Sequence, residues 1–266
     1  MNKHIMVLMS LGASLSGLPA IVTSAVAFSP YETYLLSGQD TRVGLIAKAE
    51  SGREMDVKNA LVELHGAPDM KSFAKAGIRN LASFSRIINS QTYFFVYFEY
   101  AGNKQYSGAV EAFESASPKV AGLSQWTSSV AGINTETGWT QMEWISFIRG
   151  RNIPGKPQNK LSLVTTLRRD KELQYRNMHQ TIWPGVIDQM IRGNNRNFSA
   201  FVCEMEGELY EFIYVEYVGS NAEKDHELNQ KNSVNQRWWK LTDACQKPLP
   251  GENSIWASLE LVSTDQ

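Results

Sequence analysis

Apolar residues Ile255, Ala257, Leu259 and Leu261 alternate with Trp256, Ser258 and Glu260, the period of two that a half-buried strand requires. This segment closes a series. Residues 161–168, 197–205, 209–218 and 254–262 read as strands, and residues 170–192 and 220–244 as helical stretches. The first half of the chain gives the same order. Strands are expected at 43–49, 82–89, 92–100 and 139–148, with helices within 52–75 and 105–129. Each half therefore reads strand, helix, strand, strand, helix, strand.

The two halves also share sequence. Residues 84–100, FSRIINSQTYFFVYFEY, and residues 198–217, FSAFVCEMEGELYEFIYVEY, both begin Phe-Ser and both end in an aromatic-rich strand closing on Glu-Tyr. Their three-residue difference in length fits a hairpin turn of unequal size. The stretch RGRNIPGKPQNK between the halves holds two Pro and two Gly without apolar period and reads as a linker. The expected organisation is a first domain at 40–149, a linker at 150–159 and a second domain at 160–266. The element order is the ferredoxin-like split βαβ pattern. One copy leaves a sheet face bare, whereas two copies in one chain can pack sheet against sheet. The expected fold is thus α+β, with two tandem ferredoxin-like domains forming an internal pseudo-dimeric α/β barrel and no need of a second chain.

Ahead of these elements, Lys3 and His4 precede an apolar run from Ile5 to Ala27 that ends Ala25-Val26-Ala27. That arrangement predicts a cleaved export signal over 1–27 and a periplasmic or extracellular protein. Gly12, Gly17 and Pro19 within the run weigh against a spanning anchor. The export route would permit Cys203 and Cys245 to pair, and two separate buried thiols are equally compatible with the sequence.

Charge and motif content remove several function classes. The 26 basic and 27 acidic residues nearly cancel, so no global field favours nucleic acid or anionic lipid. Two Cys and four scattered His, with no His-x-x-x-His pair, give no support to a metal centre. Glycine-rich phosphate loops and the Gly-x-Ser-x-Gly elbow are absent from the sequence.

Two clusters remain. Tyr175 and His179 stand at i and i+4, so they leave one helix face as neighbours. A phenol beside an imidazole can move a proton near neutral pH, although core-edge packing places the same residues together. Pro184, in Trp183-Pro184, should distort this helix and free a carbonyl. In Gln236-Arg237-Trp238-Trp239-Lys240, the two Trp point about 100° apart on a helix, so one can pack inward while the other walls a pocket.

Taken in order, these residues resemble the L-rhamnose mutarotase family. The resemblance runs over residues 161–262: Tyr175-x-x-x-His179-x-x-x-Trp183-Pro184, then Asn197-Phe198-Ser199, then Arg237-Trp238-Trp239-Lys240-x-x-x-Asp243. It implies cofactor-independent exchange of the α and β anomers of a monosaccharide, with L-rhamnose the first candidate. It further implies that His179 serves as proton donor with Tyr175 beside it, and that Phe198, Trp238 and Trp239 contact the sugar. Phe198 stands where the family typically carries a Tyr, which removes a hydroxyl. In the first half, His65 precedes Phe84 by nineteen residues, as His179 precedes Phe198. Leu61 then falls at the place of Tyr175, and a lone Trp126 replaces the Trp pair. The first half reads as a degenerate copy, with a second site on His65, Phe84 and Trp126 as the alternative to a pure scaffold. Two other functions fit the sequence: a non-catalytic carbohydrate-binding protein on the same fold, and an oxygenase of the wider barrel group with His226 or His65 as a haem ligand.

Overall fold

The computed structural model describes residues 40–101, 106–130, 138–148 and 159–265. The expected signal segment and nearly all of the expected linker lie outside them. The described residues form one compact unit. Among the described residues no helix is long and apolar enough to cross a membrane.

The elements of the first half are β1 (Thr41–Ala49), α1 (Glu54–Glu63), α2 (Ala67–Lys75), β2 (Ile78–Ile88), β3 (Gln91–Tyr100), α3 (Tyr106–Ala116), α4 (Pro118–Gly122), β4 (Thr127–Ser128), β5 (Thr140–Gln141) and β6 (Glu143–Ile148). The second half follows the same order: β7 (Asn159–Leu167), α5 (Glu172–Gln180), α6 (Pro184–Arg192), β8 (Asn195–Met205), β9 (Glu208–Tyr217), α7 (Ala222–Lys231), α8 (Ser233–Asp243), β10 (Gln246–Lys247), β11 (Ala257–Ser258) and β12 (Glu260–Thr264). Pro184 does not bend a continuous helix. It opens a new one at its first turn, where a missing N–H costs nothing.

Two six-stranded sheets result, giving a mixed α/β fold whose strand pairs are antiparallel. One runs β12-β2-β3-β1-β4 with β5 also on β1, the other β10-β7-β9-β8-β6 with β11 also on β7. The last strand of each half is therefore split. Its short early pieces pair with the first strand of its own half, and its final piece crosses to the other sheet.

Alternation assigns the faces. In β1 and β3, Val43, Leu45 and Ala47 join Phe94, Val96 and Phe98 in a core with Val57, Leu61, Phe73 and Phe113 of the covering helices. The alternate residues meet the other sheet. Phe95 lies 5.5 Å from Phe212 and 5.9 Å from Phe201, centroid to centroid, and Tyr97 stacks on Tyr214 at 3.6 Å. Gly44 permits this approach, because a β-carbon there would stand 2.8 Å from Phe201 Cγ.

The two halves align in a different register from the one the Phe-Ser start suggests. Both hairpins turn over two residues, Asn89-Ser90 and Glu206-Gly207, all with positive φ, the geometry of a tight antiparallel turn. No length difference separates them. Arg79-Asn80 matches Arg196-Asn197, each Asn has positive φ (55° and 53°), and each sits in a register shift between the partners Glu99 and Tyr97 or Glu216 and Tyr214. The equivalent of Phe84 is therefore Phe201, and that of Phe198 is Leu81.

Candidate active site

Helix α5 carries Tyr175 and His179 on its buried side, both within the second half. Two contacts from β6 hold the helix in place. Ser146 Oγ donates to the His179 carbonyl at 2.9 Å, and Arg176 pairs with Glu143 at 2.6 Å. The His179 and Tyr175 rings stack at 4.2 Å, and Trp238 meets His179 edge-on at 5.6 Å. Trp183 in turn packs edge-on against Trp238 at 5.4 Å.

Tyr175, His179 and Trp238 line a cavity of about 220 Å³ between the helices and the outer face of the second sheet. Phe198, Trp239 and Trp256 are half-buried in its wall, and Ile148 of β6 contributes to it from the first half. His226 belongs to the same lining but is exposed, with Nε2 2.8 Å from Gln230 Nε2. Tyr175, His179, Phe198, Trp238 and Trp239 are thus brought together around one space. Of the two Trp, 238 is buried and 239 half-buried.

His179 Nδ1 is 3.2 Å from the Tyr175 carbonyl oxygen. That oxygen can only accept, so Nδ1 carries the hydrogen and Nε2 keeps the lone pair. Burial pushes the imidazole down to about 4, which keeps the ring neutral at pH 7 and able to accept a proton.

Beneath Tyr175 lies Glu211, which the sequence reading passed over. Tyr175 Oη donates to Glu211 Oε2 at 2.5 Å, and Gln246 Nε2 donates to Tyr175 Oη at 3.0 Å and to Glu211 Oε2 at 3.3 Å. Burial raises the carboxyl to about 8, against the lowering effect of those two donors, and Tyr175 is held well above its usual value by burial and by Glu211. A signal for Glu211 exists in β9. Leu209, Glu211, Ile213 and Val215 form one alternating face, and an acid among aliphatics on a covered face marks a buried polar group. The equivalent residue in β3 is Phe94.

The residues of the suggested second site do not come together. Phe84 is fully buried between the sheets, 6.0 Å from Phe95 and 6.2 Å from Tyr214. Trp126 packs against the core on the opposite, helix-covered face. The Trp126 carbonyl accepts from Glu50 N as the Cys245 carbonyl accepts from Arg168 N, so Trp126 holds the place of Cys245 and not of the Trp pair. His65 lies in the turn between α1 and α2, outside either helix. Counted from the first residues Glu54 and Glu172, the fourth and eighth positions of α1 are Val57 and Leu61, where α5 has Tyr175 and His179. Cys203 and Cys245 are separate buried thiols.

Comparison with known proteins divides between the whole chain and its second half. The model of the L-rhamnose mutarotase family matches residues 160–263. An L-rhamnose mutarotase of Oceanobacillus iheyensis is 29% identical over 91 residues, 34% of this chain and 79% of that protein. Over most of the chain the fold is similar to solved structures of proposed monooxygenases from Fusobacterium nucleatum and Lactobacillus acidophilus. Each has a TM-score of 0.50 and 9% identity over 85% of this chain, covering 94% and 96% of theirs; at that identity the likeness concerns fold alone. The stretch that supplies nearly every wall of the cavity, residues 160–263, is the stretch that matches the L-rhamnose mutarotase family.

Proposed function

We propose that this chain is a mutarotase-like isomerase that exchanges the anomers of a monosaccharide in the cavity of its second half, with L-rhamnose the first sugar to test. The observation that carries the reading is the stack of His179 on Tyr175 with Trp238 edge-on, in a cavity where the imidazole is neutral. Anomer exchange needs a proton taken from the O1 hydroxyl and one given to the ring oxygen, then the reverse. His179, with a lone pair on Nε2, takes the first and, once protonated, gives that proton to the ring oxygen. The Trp faces offer an apolar platform to a deoxy sugar.

The same reading covers the whole chain. Two tandem ferredoxin-like units form a pseudo-dimeric barrel within one monomer, and the first unit serves as scaffold. Its Val57 and Leu61 stand where a working copy would carry Tyr and His. The apolar run ending at Ala27 fits an exported protein acting in the periplasm or outside the cell.

Phe198 favours one other function. Without a hydroxyl there, the cavity fits a non-catalytic sugar-binding protein on the same fold. Exchange spectroscopy of anomeric protons with catalytic amounts of protein separates the two. Faster exchange supports the isomerase, and binding without exchange supports the binding protein.

A further inference from the structure

Two residues of the cavity lining each carry a buried oxygen that no protein group satisfies. Glu211 Oε1 and Gln246 Oε1 are buried and have no hydrogen-bond partner. Both residues line the cavity, and both are nearly inaccessible, Glu211 at 0% and Gln246 at 2% exposure. Their other ends are engaged, since Gln246 Nε2 and Glu211 Oε2 share the Tyr175 hydroxyl and lie 3.3 Å apart. An unsatisfied buried oxygen is costly and uncommon. Two on adjacent side chains of one cavity point to a ligand group.

We propose that Glu211 and Gln246 form a specificity pair that takes one hydroxyl of the sugar, with Glu211 Oε1 donating to that hydroxyl and Gln246 Oε1 accepting from it. The chemistry selects the group. Gln246 Oε1 is an acceptor in every state, and a neutral carboxyl adds one O–H donor. A hydroxyl gives and receives at a single atom. An ether or carbonyl oxygen only accepts, and a methyl group does neither. The apolar lining opposite, with Phe198 and Trp256, then receives the less polar edge of the ring. The inference rests on the sugar-site reading and names which part of the sugar decides recognition.

The pair also has a pH dependence. Burial holds the Glu211 carboxyl neutral to about pH 8, so the donor is present below that pH and lost above it. The other ionisable groups that line the cavity are Tyr175 and His179 on α5 and His226 on α7, with Asp243 at the end of α8 and Cys245 acting on Tyr175 from behind. On the flanking strands, Thr165 and Val202 stand opposite Glu211, and neither titrates. Tyr175 and Cys245 are pushed above their usual values and His179 well below its own, and Glu211→Gln isolates the part of the loss that Glu211 sets.

The test is a binding titration of L-rhamnose and of its derivatives lacking one hydroxyl at a time, followed by calorimetry or saturation-transfer NMR. In the wild type one derivative should bind at least about tenfold more weakly than the rest. Glu211→Leu should weaken the parent sugar to the same level and erase that discrimination. Glu211→Gln, which keeps a donor, should bind the parent sugar at pH 7 and lose the fall in affinity above pH 8. Circular dichroism confirms folding of both variants. Equal binding of all derivatives, or unchanged selectivity in Glu211→Leu, overturns the pair and means that trapped water alone serves these oxygens. If L-rhamnose does not bind, the same titration is run on a panel of common monosaccharides. Binding of none of them defeats the sugar-site reading, whereas selective binding that ignores Glu211 defeats only the pair.

Discussion

Tyr97 and Tyr214 occupy equivalent positions in the two halves and lie face to face, 3.6 Å apart and 9° from parallel, where the sheets meet. Each phenol reaches the carboxylate two residues on, Tyr97 to Glu99 at 3.3 Å and Tyr214 to Glu216 at 2.9 Å. Removing either ring opens a void in a fully buried layer. Tyr97→Ala is expected to lower the unfolding free energy by about 3–5 kcal/mol, read from the midpoint of a urea titration with an unchanged slope.

Beside the stacked rings, the amide nitrogens of Asn80 and Asn197 each donate to both Glu99 and Glu216. Asn197 Oδ1 also accepts from Arg42 Nη2 at 2.6 Å, and Arg42 is buried. Asn197→Ala therefore leaves two carboxylates and a guanidinium short of partners. The expected loss is about 1–3 kcal/mol or more. Asn80→Ala should cost less, because Asn80 holds no Arg. Thermal unfolding of the two variants side by side checks the order.

How much of this was legible in the sequence follows from the physics of each feature. Strand and helix order was readable because burial on one face imposes a period. The register of the repeat was not. Phe-Ser recurs at 84 and 198, but the bulge at Asn80 and Asn197 and the two-residue turns set the alignment, and both depend on positive φ. The crossing of β6 and β12 had no sequence signal either, since pairing with one's own sheet or the other satisfies the same alternation. The i, i+4 rule brought Tyr175 and His179 together, and the same rule applied to α1 shows why His65 cannot be the match of His179.

Glu211 and His179 should have opposite effects on stability. A carboxyl raised from 4.5 to about 8 binds its proton more tightly when folded. Its contribution is full below pH 4.5 and declines as pH rises through 8. An imidazole lowered from 6.5 to about 4 works the other way, and stability is lost as pH falls through 6.5 towards 4. Replacing the acid isolates its part. The stability of Glu211→Gln relative to wild type is expected to rise with pH between about 4.5 and 8, by roughly 1.4 kcal/mol per unit at most. Denaturant titrations at four pH values measure it, and a flat difference would mean that the carboxyl ionises normally.

On the isomerase reading, His179→Ala should slow anomer exchange at least about tenfold, because an acid–base group usually contributes about 10²–10⁴. Tyr175→Phe should cost less, since the ring stays and only the hydroxyl goes. His65→Ala should leave exchange nearly unchanged, because His65 does not line the cavity. Line broadening of anomeric protons at fixed protein concentration compares all three.

Ser146→Ala removes the hydrogen bond from β6 to the His179 carbonyl without touching the cavity lining. Its expected signature is a drop in the exchange rate at saturating sugar with little change in affinity, which separates an orienting contact from a binding one.

The exchange of final strands makes each half a creditor of the other. A chain cut between Ile148 and Asn159 would yield two pieces, each holding a strand that only its counterpart can use. The first would expose an open edge on β2 and the second on β8, and bare edges aggregate. Co-produced fragments should find each other and refold, while either alone should precipitate. The cavity is thus a property of the reunited pair. Ile148 supplies part of its wall and Ser146 steadies its helix, so the half without Tyr or His in its own helix still determines whether the other half has a site at all.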